Sequence, residues 1–149
     1  MEGLEAVARE VESAERHLSR RGFLFSLAFA AVALPRLTLD RKDKEFINRV
    51  AATLIPAEAL RQTGIDVLAN VEHMLAQGSA DHRRKVLRLL AWSRRVAFLY
   101  GGDRVALGAR GSRFEVMQKM GKALSSLCLV AFWGDERALS LIDSHGGRA

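Results

Sequence analysis

The chain contains few of the residues from which disulfide, metal and catalytic sites are built. Its single cysteine, Cys128, cannot form an internal disulfide, so packing alone must hold the fold together. The four histidines make no metal-ligand spacing with it, because they are scattered at His17, His73, His82 and His145. No stretch shows sustained alternation of β-branched residues, and no repeat period is present. These absences argue against a disulfide scaffold, a metal site, a β-sheet domain and a repeat array.

The chain also lacks an apolar run long enough to cross a membrane. Residues 22–34 carry no charge, but these thirteen residues fall short of the about 20 that a spanning helix needs. Thirteen moderately apolar residues are instead typical of the hydrophobic core of an export signal. Ala31-Val32-Ala33 supplies the small-x-small pattern that a signal peptidase accepts, so Ala31 and Ala33 mark a candidate cleavage site.

The residues that lead into this run resemble a twin-arginine export signal. The pattern of such signals is Ser or Thr, two arginines, any residue, Phe, Leu and often Lys. The chain matches at Ser19, Arg20, Arg21, Phe23 and Leu24, and departs only at Phe25, which stands in place of Lys. The resemblance implies recognition by the twin-arginine translocase, export of a folded protein and a periplasmic location. It divides the chain into a signal segment, residues 1–33, and a single helical domain, residues 34–149.

The segment before the arginine pair fits this hypothesis less well. Residues 1–19 hold five glutamates and two arginines, whereas the start of an export signal is usually positively charged. The alternative is an ordinary amphipathic helix whose arginine pair precedes a buried turn.

The part of the chain after residue 33 is distinctly basic. It keeps 19 of the 23 basic and 12 of the 17 acidic side chains, a balance of +7 over 116 residues. A chain of this length forms one domain with a real core. Basic charge suits nucleic acid, anionic lipid or an acidic protein partner, and export would exclude nucleic acid.

Helical periodicity predicts an all-α fold, a small irregular bundle of four to five helices. The segments are 40–54, which Asp40 caps and Pro56 stops, then 65–77, 79–100, 114–133 and 135–142. The segment 114–133 is predicted to be the most buried, with an inner face made of Met117, Met120, Gly121, Leu124, Leu127, Cys128 and Ala131. Cys128 is then a small core hydrophobe rather than a nucleophile.

The third segment carries a mixed cationic and apolar face. Arg84, Arg88 and Arg95 fall on one side of it with Phe98, and Trp92 lies on the flank. Surfaces that mix arginine with aromatic residues are enriched at protein interfaces. The alternative is a solvated face on which arginine stems cover stray apolar residues. The candidate partner interface is Arg84, Arg88, Trp92, Arg95, Phe98 and Trp133.

No catalytic constellation and no cofactor motif accompanies these features. The glycine-rich stretch 101–112 lacks the Gly-Lys-Ser/Thr ending of a phosphate-binding loop, and no strand pattern precedes it. We therefore expect no catalytic, cofactor-binding or metal-binding residue in this chain, and a subunit rather than an enzyme.

The layout resembles the small twin-arginine-signalled subunits that accompany flavoprotein dehydrogenases of the glucose-methanol-choline type. This group includes gluconate dehydrogenase subunit 3 and the gamma subunits of FAD-dependent sugar dehydrogenases. Besides the signal, the shared features are an early helix ending in an Ile-Pro sequence, Ala52–Ala57, and an aromatic, glycine-containing C-terminal segment, Phe132-Trp133-Gly134 and Gly146-Gly147.

This resemblance implies a chaperone-like accessory subunit. It would fold with a large FAD-carrying dehydrogenase subunit, take that subunit across the membrane and remain bound in a hetero-oligomer, with FAD in the partner and no cofactor of its own. Attachment of the complex to the inner membrane stays open. Two other hypotheses remain. One is a stand-alone periplasmic scaffold whose arginine face binds anionic lipid or an acidic partner, and the other is a cytoplasmic regulator that binds nucleic acid.

Overall fold

The computed structural model of the chain describes residues 2–21, 38–100, 102 and 115–146. These residues form seven α-helices and one 3₁₀ turn, and no strand occurs among them. The helices are α1 (Glu2–Arg21), α2 (Arg41–Leu54), α3 (Ala57–Thr63), α4 (Val67–Gln77), α5 (Ala80–Tyr100), α6 (Glu115–Trp133) and α7 (Leu139–Gly146), with the 3₁₀ turn at Glu136–Ala138. The predicted all-α class is confirmed. The helix count exceeds the predicted four to five because α1 and the short α3 are added.

Helix α6 is the centre of the bundle and packs against α1, α2, α4 and α5. All seven residues of its predicted inner face are buried, and Ala123 and Phe132 are buried with them. Helices α2 and α4 turn Phe46, Ile47 and Val71 toward the same core. A helix with neighbours on several sides needs a wide apolar surface, which explains the long uncharged stretch after Lys122.

The predicted helix ends are set by local chemistry. Asp40 caps α2 with a reciprocal capping box, in which the Asp43 amide donates to Asp40 and the Asp40 amide donates to Asp43. Pro56 has no backbone N–H and follows the last residues of α2. Gly64 ends α3 in the left-handed conformation, with φ of 62°, and donates its amide to the Leu60 carbonyl at 2.9 Å.

Helix α1 belongs to the hydrophobic core. It packs most extensively against α6 and also lies along α5. Leu4, Val7, Ala8 and Val11 are buried. Burial of one Leu and two Val side chains contributes about 5–9 kcal/mol as an upper estimate. That is comparable to the whole stability of a typical domain, about 5–15 kcal/mol.

Glutamates in the acidic N-terminal segment form ion pairs with lysines of neighbouring helices. Glu12 pairs with Lys85 of α5 at 3.6 Å, and Glu10 pairs with Lys122 of α6 at 3.4 Å. Lys85 also bonds Asp81 at 3.0 Å, and this hydrogen bond raises the pKa of Lys85. Two of the five glutamates of α1 thus face lysines of the helices on which α1 packs, and the predicted boundary at residue 33 separates α1 from those helices.

Candidate partner interface

The residues predicted as the export signal lie partly within the described structure. Ser19, Arg20 and Arg21 form the last turn of α1. Phe23, Leu24, Ala31 and Ala33 lie outside the described residues. The export signal and its cleavage site therefore stay predictions. In the described ranges, no helix has both the length and the apolar character needed to cross a bilayer.

The six residues predicted as a partner interface do not form one surface. Trp92 is only 2% exposed and packs inside the core, so it is not part of an exposed interface in this fold. Helix α5 has neighbours on three sides, α1, α2 and α6. Its buried face is therefore wider than the single stripe that a helical wheel suggests, and Leu87 is buried as well. Arg84 and Arg95 are exposed and Arg88 is partly exposed.

Phe98 and Trp133 lie at opposite ends of the bundle. Leu4 abuts Gly78 just before α5, and Glu12 pairs with Lys85 further along, so α1 and α5 run parallel. Gly3 abuts Val130 whereas Glu10 pairs with Lys122, so α6 runs antiparallel to both. The helix from Ala80 to Phe98 rises by about 27 Å, at about 1.5 Å per residue.

The C-terminal end of α5 carries one of the exposed apolar surfaces found among the described residues, which we call the α5-end patch. Phe98 is 87% exposed and Leu99 is 71% exposed. They border a shallow depression of about 390 Å³, which is lined by Lys42, Arg94, Arg95, Phe98 and Leu99. The patch therefore combines large apolar groups with cations, and it contains Arg95 and Phe98 of the six predicted residues.

The second exposed apolar surface is a groove at the other end of the bundle, which we call the Pro56 groove. It has a volume of about 490 Å³ and is lined by Leu54, Ile55, Pro56, Glu58, Ala59, Gln62, Leu129, Phe132, Trp133, Leu141 and Ile142. Trp133 is 50% exposed and Ile142 is 57% exposed. Most of the lining is apolar, and such an exposed patch is a candidate site for binding another protein.

Local chemistry explains how the walls of the Pro56 groove form. Proline ends α2 and turns the chain into α3, which leaves Ile55 buried beneath the groove. Phe132 is buried and meets the exposed Trp133 ring edge-to-face, with centroids 5.1 Å apart at 84°. Glu58 forms the polar edge, where it pairs with Arg61 and accepts a bond from Gln62 at 3.1 Å.

Of the residues that line this groove, the sequence predicts only Trp133 as part of a partner interface. Leu141 and Ile142 come from α7, whose pairing with α3 is a tertiary contact. The available signal was the run of apolar residues Leu139, Leu141 and Ile142 in a short helix near the chain end, because such a helix cannot bury more than one face.

A third concavity, of about 660 Å³, lies between the start of α1, α4 and the end of α6. His73 and His82 line it, and the ring Nε2 of His73 lies 2.8 Å from Gln77 Nε2. Asp135 accepts two side-chain bonds from Arg137, at 2.8 and 3.0 Å, and one from Asn70 at 3.0 Å. These bonds, those of Arg137 first, hold the pKa of Asp135 well below its usual range. Asp135 is thus an ionised structural group at neutral pH.

The described residues include no reactive thiol and no cluster of metal ligands. Burial raises the pKa of the Cys128 thiol to about 12, so the thiol stays protonated and unreactive at neutral pH. Among the residues that the structure describes, no group of three or more His, Cys, Asp or Glu side chains is placed to hold a metal ion.

The fold and these surfaces define a small all-α domain with exposed apolar groups at both ends. Comparison of the chain with protein-family models, curated proteins and solved structures found no match.

Proposed function

We propose that the chain is the non-catalytic small subunit of an FAD-dependent periplasmic dehydrogenase, which it escorts through the twin-arginine route and then stabilises. The observation that carries this proposal is the sequence Ser19–Leu24 running into an uncharged stretch that ends at residue 34. The route moves folded proteins, and a flavoprotein must bind its cofactor before export. One signal on a tightly bound partner can therefore serve both chains, and binding also stabilises the folded partner.

The Pro56 groove supports a partner-binding role. Two of the segments through which the chain resembles the small dehydrogenase subunits are Ala52–Ala57 and Phe132–Gly134. Residues of both segments line this one groove although about 75 positions separate them in sequence. A half-exposed tryptophan beside an apolar pocket is typical of the residues that dominate interface energetics. In this proposal, apolar side chains of the large subunit occupy the groove, and FAD is bound by that subunit.

The export step is tested by changing the arginine pair. The double substitution Arg20→Lys, Arg21→Lys keeps the charge but removes the two guanidinium groups of the motif. We expect the dehydrogenase activity of the partner to stay in the cytoplasm. The matched control is Arg9→Lys, Arg16→Lys, which makes the same conservative change earlier in α1 and leaves export intact. Unchanged periplasmic activity after the Arg20, Arg21 substitution would contradict the proposal.

The binding step is tested by placing a charge at each end of the bundle. Ile142→Glu puts a carboxylate in the Pro56 groove, and Leu99→Glu does the same at the α5-end patch. Tagged variants are purified from membranes and the flavin absorbance of the bound material is measured. We expect Ile142→Glu to lose the flavoprotein and Leu99→Glu to keep it. The reverse pattern would move the interface to the α5-end patch, and retention by both variants would exclude both surfaces.

The α5-end patch favours a second candidate function, a stand-alone periplasmic scaffold that binds anionic lipid. Exposed Phe98 and Leu99 beside Lys42 and Arg95 resemble the apolar and cationic groups of a membrane-surface site. A monodisperse monomer that carries no flavoprotein, and that binds anionic but not zwitterionic vesicles, would favour this function over the first. Leu99→Glu would then weaken vesicle binding.

A further inference from the structure

Helix α1, which includes the first half of the predicted export signal, is part of the folded domain. Leu4, Val7 and Val11 lie in the same buried cluster as the core residues of α2, α4, α5 and α6. A segment that served only as a targeting signal would not need to be buried in the core. The residues before the arginine pair therefore have a structural role that their sequence pattern does not indicate.

Two glycines allow close packing around the start of α1. A Cβ at Gly3 would overlap the Val130 side chain of α6, and a Cβ at Gly78 would overlap the Leu4 side chain. Glycine at both positions leaves room for these two side chains. The ion pairs of Glu10 with Lys122 and of Glu12 with Lys85 then join α1 to α6 and to α5.

We infer that α1 is retained as a permanent helix of the exported domain. The inference rests on the proposed function for the export step, and on the packing of α1 for the retention. The candidate cleavage site at Ala31–Ala33 begins ten residues after Arg21, the last residue of α1. A cut there would break the covalent link without removing the buried contacts, so the helix would stay bound to the domain.

Two alanines in one turn of α1 provide a matched test in the full chain. Ala8 is buried and Ala6 is exposed, so Ala8→Asp and Ala6→Asp add the same charge ahead of the arginine pair but in different surroundings. We expect Ala8→Asp to lower the thermal midpoint strongly and Ala6→Asp to leave it near that of the unsubstituted chain. If α1 served only as a targeting signal, the two variants would have the same thermal midpoint, and this result would overturn the inference.

A milder substitution covers the case in which Ala8→Asp gives no soluble protein. Val7→Ala removes two buried methyl groups and should shift the denaturant midpoint downward with the slope unchanged. A midpoint equal to that of the unsubstituted chain would count against a core role for α1.

The mass of the exported protein tests retention directly. We expect periplasmic material to contain either the intact chain of 16.5 kDa or a fragment of residues 1–33 that co-purifies with residues 34–149. A folded periplasmic species of residues 34–149 alone would overturn the inference. If the chain is found only in the cytoplasm, the proposed function fails, whereas the contrast between Ala8→Asp and Ala6→Asp still decides whether α1 is a core helix.

Discussion

Arg94 of α5 and Asp43 of α2 form an ion pair in which the carboxylate is buried, with Nη1 2.9 Å from Oδ1 and Asp43 only 1% exposed. The same guanidinium nitrogen lies 3.1 Å from Asp40, the N-cap of α2. Asp40 and Asp43 are also the two members of the capping box. One arginine therefore joins the start of α2 to the C-terminal part of α5, and it couples a local helix cap to tertiary packing.

Replacing Arg94 should destabilise the fold. Arg94→Met removes the cation beside a buried carboxylate, and we expect a loss of about 3–5 kcal/mol in the free energy of unfolding. The neighbouring Arg95 is exposed, so Arg95→Met should change stability by no more than about 0.5 kcal/mol. Urea denaturation of both variants measures the difference. Equal losses would show that the Arg94–Asp43 pair has no special role.

Ser93 is a buried polar residue whose hydroxyl should be removable without loss of stability. Its side chain is 0% exposed, and its hydroxyl has no hydrogen-bond partner within the described part of the chain. Ser93→Ala removes this unsatisfied group and adds helix propensity, so we expect stability to be unchanged or to rise by up to about 1 kcal/mol. The measurement is the free energy of unfolding from urea denaturation. A fall of more than about 1 kcal/mol would mean that the hydroxyl has a stabilising partner in the folded chain.

Cys128 should be inert in the folded protein. Desolvation raises the pKa of the Cys128 thiol to about 12. The reactive thiolate is therefore scarce between about pH 7 and pH 9, where thiols are usually labelled. We expect an alkylating reagent to modify the native chain slowly at every pH in this range and the denatured chain rapidly, at one site per chain. Rapid labelling of native protein that increases with pH would show that Cys128 is accessible.

Asp135 should make stability depend on pH in acid. Its pKa is lower in the folded chain than the ordinary value of 3.8, chiefly because of Arg137. The ionised form is therefore favoured by folding, so its contribution is complete well above pH 3.8 and is lost as pH falls through the lower, folded pKa. We expect Asp135→Asn to be less stable than the unsubstituted chain at pH 7, with the gap in thermal midpoint narrowing in acid.

The control for this experiment is Glu136→Gln, which removes an adjacent negative charge but leaves the bonds of Asp135 with Arg137 and Asn70 in place. It separates the effect of net charge from that of the hydrogen-bonded set. If the difference in thermal midpoint between Asp135→Asn and the unsubstituted chain is the same at pH 7 and in acid, folding does not lower the pKa of Asp135.

Residues near one another in the chain allowed most of the helices to be predicted. Periodicity and caps located α2, α4, α5 and α6, and the inner face of α6 was correct at every residue. The wheel of α5 failed at Trp92 because periodicity describes one buried stripe, whereas three helices surround α5. The sequence of α1 predicts an export signal because of its arginine pair, whereas its burial depends on α5 and α6, which are distant in sequence.

The all-α class, the stop at Pro56, the capping box at Asp40 and the end of α5 before Gly102 all follow from the sequence, because they depend on backbone chemistry within a few residues. The place of α1 in the core, the choice of Asp43 as the partner of Arg94 and the meeting of Ala52–Ala57 with Phe132–Gly134 depend on the tertiary structure. Each of these joins residues about 50 to 130 positions apart. Apolar burial is non-directional, so a sequence shows which side chains avoid water and the packed fold determines which of them meet.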